Sequence, residues 1–255
     1  MFELEQIPKT WSESFTIRSY EVSTTNLVSP ATLCRYVQEA ASIHATKLKV
    51  VGEMLEEQDL MWVLSRLRWQ MEVMPAWQDE IKIETWPTTR TSGIRAHRDF
   101  RIFGANGTEI GQASTIWLLL AKKTRRPVRI PNFIEDYQSP GLNDDLLKGN
   151  DLAEVKEHQF SKEFEVRASD LDPNQHVNNV CYVEWALDTL PIEISQSHRV
   201  SDLDINFVGE GNYGDTVEAL TLGQSNLPGM VYCHQVANKA SAKKLALLRT
   251  AWVTL

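Results

Sequence analysis

Little in this sequence suits oxidative, metal-dependent or membrane chemistry. Its three cysteines, Cys34, Cys181 and Cys233, are odd in number and show neither metal-ligand nor redox spacing, so a reducing cytosol is the expected home. No apolar run is long enough to span a bilayer. Met1-Phe2-Glu3-Leu4-Glu5 lacks the basic start and apolar stretch of a signal peptide, which again points to a cytoplasmic location. There is no G-x-S-x-G elbow, no Walker loop and no H-E-x-x-H. His44, His97, His158, His198 and His234 have no neighbours at ligand spacing, so neither a metal nor a cofactor is expected. The 26 Lys and Arg against 34 Asp and Glu leave a formal charge of −8, which argues against nucleic acid as a partner.

What the chain does have is core material and an internal repeat. Of its residues 42% are hydrophobic and eight are Trp, ample for packing. Phe15-Thr16-Ile17-Arg18-Ser19-Tyr20-Glu21-Val22 lies over Phe164-Glu165-Val166-Arg167-Ala168-Ser169-Asp170-Leu171, both strand-like, with Arg at the fourth place. Met71 to Ile81 then lies over Phe207 to Val217, with Trp77 opposite Tyr213 and Asp79 opposite Asp215. Thr115-Ile116-Trp117-Leu118 matches Thr250-Ala251-Trp252-Val253. Three matches in one order imply two fused modules of similar design.

Each module reads as strand, loop, long helix and then a run of strands. The first helix opens at Ser29-Pro30, a cap followed by proline at the first helical position. The second opens near Asn178-Asn179 and runs to Leu190, where Pro191 stops it. Strands are expected over 63–74, 80–86, 94–103 and 109–121, then over 203–208, 216–222, 231–238 and 244–255. Ala105-Asn106-Gly107 reads as a hairpin turn. The fold class is α+β: an antiparallel sheet wrapped around a long central helix, twice. The expected division is an N-terminal module over 1–135, a linker over 136–158 and a C-terminal module over 159–255. Lys122-Lys123-Thr124-Arg125-Arg126-Pro127-Val128-Arg129 is a compact basic segment, suited to steering an acidic partner.

Asp172-Pro173-Asn174-Gln175-His176-Val177-Asn178-Asn179 is the sharpest chemical signal. Asp172, Asn174 and His176 alternate, so an extended loop would point all three the same way. They precede a helix whose free N–H groups favour developing negative charge. For Asp172 or Asn178 alone, turn and capping chemistry accounts for the residue. The sister copy has Ser23, Thr25 and Leu27 instead, and that contrast favours function for the trio. Glu210 sits opposite Met74, so it is expected to face inward, where a carboxylate needs a partner or a role. Gly209-Glu210-Gly211-Asn212-Tyr213-Gly214 also fits G-x-G-x-x-G, but a strand follows it rather than a helix, which rejects a dinucleotide site. Cys181 falls in the apolar helix and reads as a buried thiol.

The run Asp170-Leu171-Asp172-Pro173-Asn174-Gln175-His176-Val177-Asn178-Asn179-Val180-Cys181-Tyr182 resembles the signature of fatty acyl-acyl carrier protein thioesterases of the plant plastid type and their bacterial relatives. The resemblance extends to Val37-Gln38-Glu39, His44-Ala45, Pro75-Ala76-Trp77, Ile83-Glu84-Thr85-Trp86 and Thr124-Arg125-Arg126. It implies two tandem hotdog modules, with catalytic groups at Asp172, Asn174, His176 and Glu210. It also implies acyl carrier protein as partner, an acyl pocket in the first module and no cofactor. Where the family often has an aromatic-Arg-Arg-Glu-Cys run, this chain reads Phe207-Val208-Gly209-Glu210-Gly211, so no cysteine nucleophile is required there. The absent plastid transit peptide fits a bacterial cytosolic enzyme. Water activated by a base and a covalent anhydride on a carboxylate stay open, as do an acyl-CoA thioesterase and a non-catalytic acyl-binding protein. A homodimer of whole chains also stays open, although the fused halves already supply the pairing that single modules obtain by dimerising.

Overall fold

The computed structural model describes residues 8–131, 137–141, 146, 152–224 and 229–255. The N-terminal residues read for a signal peptide, and much of the expected linker including Gly149, lie outside these. One antiparallel sheet of ten strands dominates, with few helices. The first half contributes β1 (Trp11–Thr16), β2 (Leu60–Met71), β3 (Glu80–Pro87), β4 (Arg95–Gly104) and β5 (Glu109–Ala121). The second contributes β6 (Phe160–Glu165), β7 (His198–Phe207), β8 (Thr216–Gly223), β9 (Met230–Asn238) and β10 (Lys244–Thr254). Their order, β1-β3-β4-β5-β2-β7-β10-β9-β8-β6, reads the same from either edge once each strand is exchanged for its counterpart. The β4–β5 connection is the expected turn, closed by Gly104 N donating to Thr108 O at 2.9 Å.

The halves meet where β2 pairs with β7. Alternation divides labour there: Leu67 and Trp69 are fully buried, while Arg66 and Arg68 point to the other face. Arg66 forms a fork with Asp204 at 2.9 and 2.7 Å, and Arg68 does the same with Asp202 at 3.1 and 2.6 Å. The inner face carries α1 (Pro30–Lys47) and α3 (Asn179–Leu187), which touch each other. Ser29 caps α1 by accepting from Thr32 N at 3.1 Å, and Asn178 caps α3 by accepting from Val180 N at 3.0 Å. Leu33, Val37 and Ala40 bury the helical stripe of α1, and the Trp69 indole donates to Cys34 Sγ at 3.4 Å. The repeat is visible in packing too: Phe15 stacks on Tyr36 at 4.4 Å, as Phe164 stacks on Trp185 at 5.8 Å.

Several expectations need correcting. The two strand-like repeats end at Thr16 and Glu165, and 3₁₀ turns follow at Ser19–Glu21 and Ala168–Asp170. Each turn is locked by its third acidic residue, which accepts from the backbone N–H of Arg18 or Arg167 at 2.8 Å. The helix of the second half is nine residues, half the length of α1. It stops at Leu187, since Pro191 has no N–H to donate to Leu187 O and its ring would clash with that carbonyl; Pro191 instead caps the start of α4 (Ile192–Ser197). A short α2 (Glu53–Glu57) was not foreseen, and β2 and β7 each begin earlier than expected. The described part of 136–158 is more than a tether. Pro140 O accepts from the Trp86 indole at 2.9 Å, and Leu146 O accepts from Arg68 at 2.6 Å, so this segment lies on the sheet face away from the helices. No helix among the described residues is long and apolar enough to cross a membrane.

Candidate active site

The turn before α3 is closed rather than extended. Asp172 N donates to His176 O at 2.8 Å, and Gln175 takes a positive φ of 64° to complete the bend. The Asp172 carboxylate is absorbed by this turn. It accepts from Asn174 N at 2.8 Å, Asn174 Nδ2 at 3.1 Å and His176 N at 3.2 Å. It therefore reaches His176 through the backbone and not through the ring. Three side chains aligned on one face, as simple alternation predicts, do not survive the bend.

The first half builds the same turn without the acid. Ser23 N donates to Leu27 O at 2.8 Å, Asn26 has φ 64°, and Ser23 Oγ lies 2.8 Å from Thr25 Oγ1. Both turns are tied to the following strand connection in the same way. Val28 N donates to Pro75 O at 2.8 Å, and Val177 N donates to Gly211 O at 3.1 Å. The backbone is thus common property, and the ionisable groups belong to one copy.

Glu210 comes to His176 from the connection between β7 and β8. Its Oε2 lies 3.7 Å from His176 Nε2. The flanking glycines hold it there. A Cβ on Gly209 would stand 2.6 Å from Lys244 O, and one on Gly211 would stand 3.1 Å from Val177 and 3.4 Å from the Tyr182 hydroxyl. That hydroxyl accepts from Gly211 N at 3.0 Å. Glu210 does not face inward as Met74 does. Met74 is 6% exposed, whereas the Glu210 side chain is 38% exposed. A carboxylate at this position stays at the rim, where water and a cation solvate it.

The cation is Arg125, which sequence reasoning treated only as one member of an exposed basic run. Its guanidinium pairs with Glu210 Oε1 and lies 2.9 Å from Met61 Sδ. The backbone of Arg125 is left-handed at φ 56°, a conformation rare for a residue with a side chain and tolerated at functional positions. Thus the first half reaches across to grip a carboxylate of the second. Tyr182 was also missed as a support. Thr124-Arg125-Arg126 fell within the family resemblance, so a signal for Arg125 existed; nothing in the sequence placed it beside Glu210.

Of the backbone N–H groups leading into α3, where the sequence points to a place for developing negative charge, Val177 N and Asn178 N are taken, by Gly211 O and Asp170 O. Asn179 N has no bond among the described residues. Cys181 is buried, its thiol pushed up to about 12 by burial, and its Sγ lies 3.6 Å from Asp170 O. That is a packing residue, as the sequence indicated. Among the described residues no cluster of three His, Cys, Asp or Glu could hold a metal.

The acyl-ACP thioesterase N-terminal domain model matches residues 8–137, and the C-terminal domain model matches 153–254. The chain belongs to the acyl-ACP thioesterase family. Across acyl-ACP thioesterases, the chain is 29% identical to the chloroplastic palmitoyl-acyl carrier protein thioesterase of Gossypium hirsutum, over 95% of this chain and 63% of that protein. The chain thus spans just under two thirds of the length of that curated relative. The solved 12:0-ACP thioesterase of Umbellularia californica superposes with a TM-score of 0.87 at 26% identity, covering 98% of this chain and 95% of that one. An acyl-ACP thioesterase of Bacteroides thetaiotaomicron shares the fold at a TM-score of 0.85 and 23% identity, covering 96% and 98%.

Proposed function

We propose that this protein hydrolyses the thioester of a fatty acyl-acyl carrier protein, releasing free fatty acid and the holo carrier. The observation that carries the reading is an imidazole and a carboxylate 3.7 Å apart beside the N-terminus of α3, in a member of this family. Glu210 and His176 activate water, which attacks the thioester carbonyl; the C–S bond breaks and the thiol leaves protonated. Catalytic contacts in an unliganded site commonly run longer than a hydrogen bond and tighten with substrate. Asn174 orients the water or the carbonyl, and Asn179 N donates to the oxygen that gains charge. Asp172 acts as a positioning residue by fixing the turn. Arg125 holds Glu210 in place for the attack.

In this reading the chain is a tandem hotdog, with a module over 1–135, a connector over 136–158 and a catalytic module over 159–255. The mirrored strand order supports it. The acyl tail lies in the first module, in an apolar cavity of about 320 Å³ lined by Ala41, Ala45, Leu48, Val50, Trp62 and Trp117. That volume lies near the lower end for ligand sites. Lys122, Lys123, Arg126 and Arg129 are exposed around Arg125 and steer an acidic carrier toward it. Three free cysteines suit a cytosolic setting.

Free-thiol release from matched acyl-carrier and acyl-CoA substrates tests the proposal. His176→Ala and Glu210→Ala should each lower kcat about a thousandfold. Arg125→Ala should lower kcat/KM about tenfold through misplacement of Glu210. Release from acyl-CoA alone would remove the carrier assignment, and release from neither would remove the thioesterase.

A further inference from the structure

The molecule holds a second cavity, of about 350 Å³, away from Arg125 and His176. Its lining includes Ser23, Thr25, Leu27 and Met74. These are the four positions that the repeat sets opposite Asp172, Asn174, His176 and Glu210. A cavity thus lies beside the silent copy of the turn, whose Ser23, Thr25 and Leu27 carry nothing ionisable. The other wall comes from the second half: Leu187 at the end of α3, Leu190 beyond it, Ile192 of α4, Val200 of β7 and Trp252 of β10. Trp252 is the repeat partner of Trp117, which lines the first cavity.

We infer that this second cavity is a binding site for an aliphatic monocarboxylate, a free fatty acid, which it holds without transforming. The chemistry of the walls selects that class. Leu27, Met74, Leu190 and Trp252 supply an apolar interior for a hydrocarbon tail. The rim carries Lys162 and Arg199, with Asp188 the single carboxylate among the lining residues. Lys162 is half exposed, 3.6 Å from Asp188 and 5.3 Å from the centre of the Phe164 ring, and among the described residues it makes no short hydrogen bond that an incoming carboxylate would have to break. Ser23 and Thr25 share one hydrogen bond between their hydroxyls, which leaves one O–H donor at the turn. A phosphorylated or multiply charged ligand would find too few cations here, and an uncharged hydrocarbon would leave the rim charges unused. A free carboxylate has no thioester left to cleave, and with Leu27 and Met74 in the places of His176 and Glu210 the turn presents it with no imidazole or carboxylate, so the ligand is held unchanged. The inference rests on the thioesterase reading only for the origin of the ligand, since that reaction liberates a fatty acid.

Equilibrium dialysis of labelled dodecanoate against the full chain tests it. Wild type should bind two molecules per chain. Thr25→Trp, which fills the cavity from its half-buried rim, should bind one, with thiol release from acyl-carrier substrate kept. Lys162→Glu, on the exposed rim, should weaken one of the two binding events about threefold or more. One molecule per chain in wild type, or two in Thr25→Trp with native melting behaviour, would overturn the site. Loss of thiol release in a folded Thr25→Trp protein would also overturn it, since the cavity would then serve the reaction. If wild type shows no thiol release while the count of two falls to one in Thr25→Trp, the binding site stands and the thioesterase reading fails.

Discussion

The two turns that precede α1 and α3 share a backbone and differ in their chemistry. Each closes with the same hydrogen bonds, places one residue at φ 64° and hands the chain to a capped helix. In one, Ser23 and Thr25 satisfy each other; in the other, Asp172 gathers three N–H groups and frees His176 to meet Glu210. The turn is thus a structural device first, and the ionisable groups are additions that it tolerates. The comparison separates what the fold needs from what the reaction needs, which a single copy would leave mixed.

The sharpest way to press that separation is to write the first turn into the second. Asp172→Ser, Asn174→Thr and His176→Leu combined should cost about three orders of magnitude in thiol release. The urea midpoint should hardly move, because Ser23, Thr25 and Leu27 already close this bend. A variant that unfolds instead would mean that the acid is structural after all. A second test breaks the seam between the halves. Arg66 and Asp204 are both buried, so Arg66→Met strands a carboxylate and should destabilise the protein by about 3–5 kcal/mol in urea unfolding. The doubly neutral Arg66→Met/Asp204→Leu should recover most of that loss.

A smaller effect concerns acid. His44 is held down to about 4 by burial and by the Arg98 charge, and His234 is held down to about 3 by burial. Both native pKa values lie below the unfolded value near 6.5, so the unfolded chain binds more protons below that pH. Stability is full above about pH 6.5 and falls as pH drops toward 4 and then 3. The melting temperature should follow this course. His44→Gln should flatten the decline between about pH 6.5 and 4, and His234→Gln the whole decline down to about pH 3, which tests whether each half carries its own share.

Much of this was legible in the sequence because local rules governed it. Ser29-Pro30 and Asn178 announced the helix starts, and strands such as β8 and β9 alternated cleanly enough to bound within a residue or so. The trio and Glu210 stand out as candidates through the difference between copies. What the sequence concealed was long-range or depended on a bend. Arg125 meets Glu210 across 85 positions, and no local pattern encodes that. Glu210 was placed inward by analogy with Met74, yet a charge and a thioether at equivalent backbone positions choose opposite environments. The short α3 was missed because Leu190 continues the apolar stripe, while the proline after it acts on the backbone.

The mirrored strand order also bears on how such a chain can change over generations. A protein that pairs with an identical copy of itself must alter both of its sites whenever it alters one. Joining the copies through β2 and β7 in one polypeptide lifts that constraint. One turn can drift, acquire a new occupant or fall silent while the other is held by selection. On that view Ser23, Thr25, Leu27 and Met74 are less a loss than a licence, and the cavity they line can change without touching the other turn.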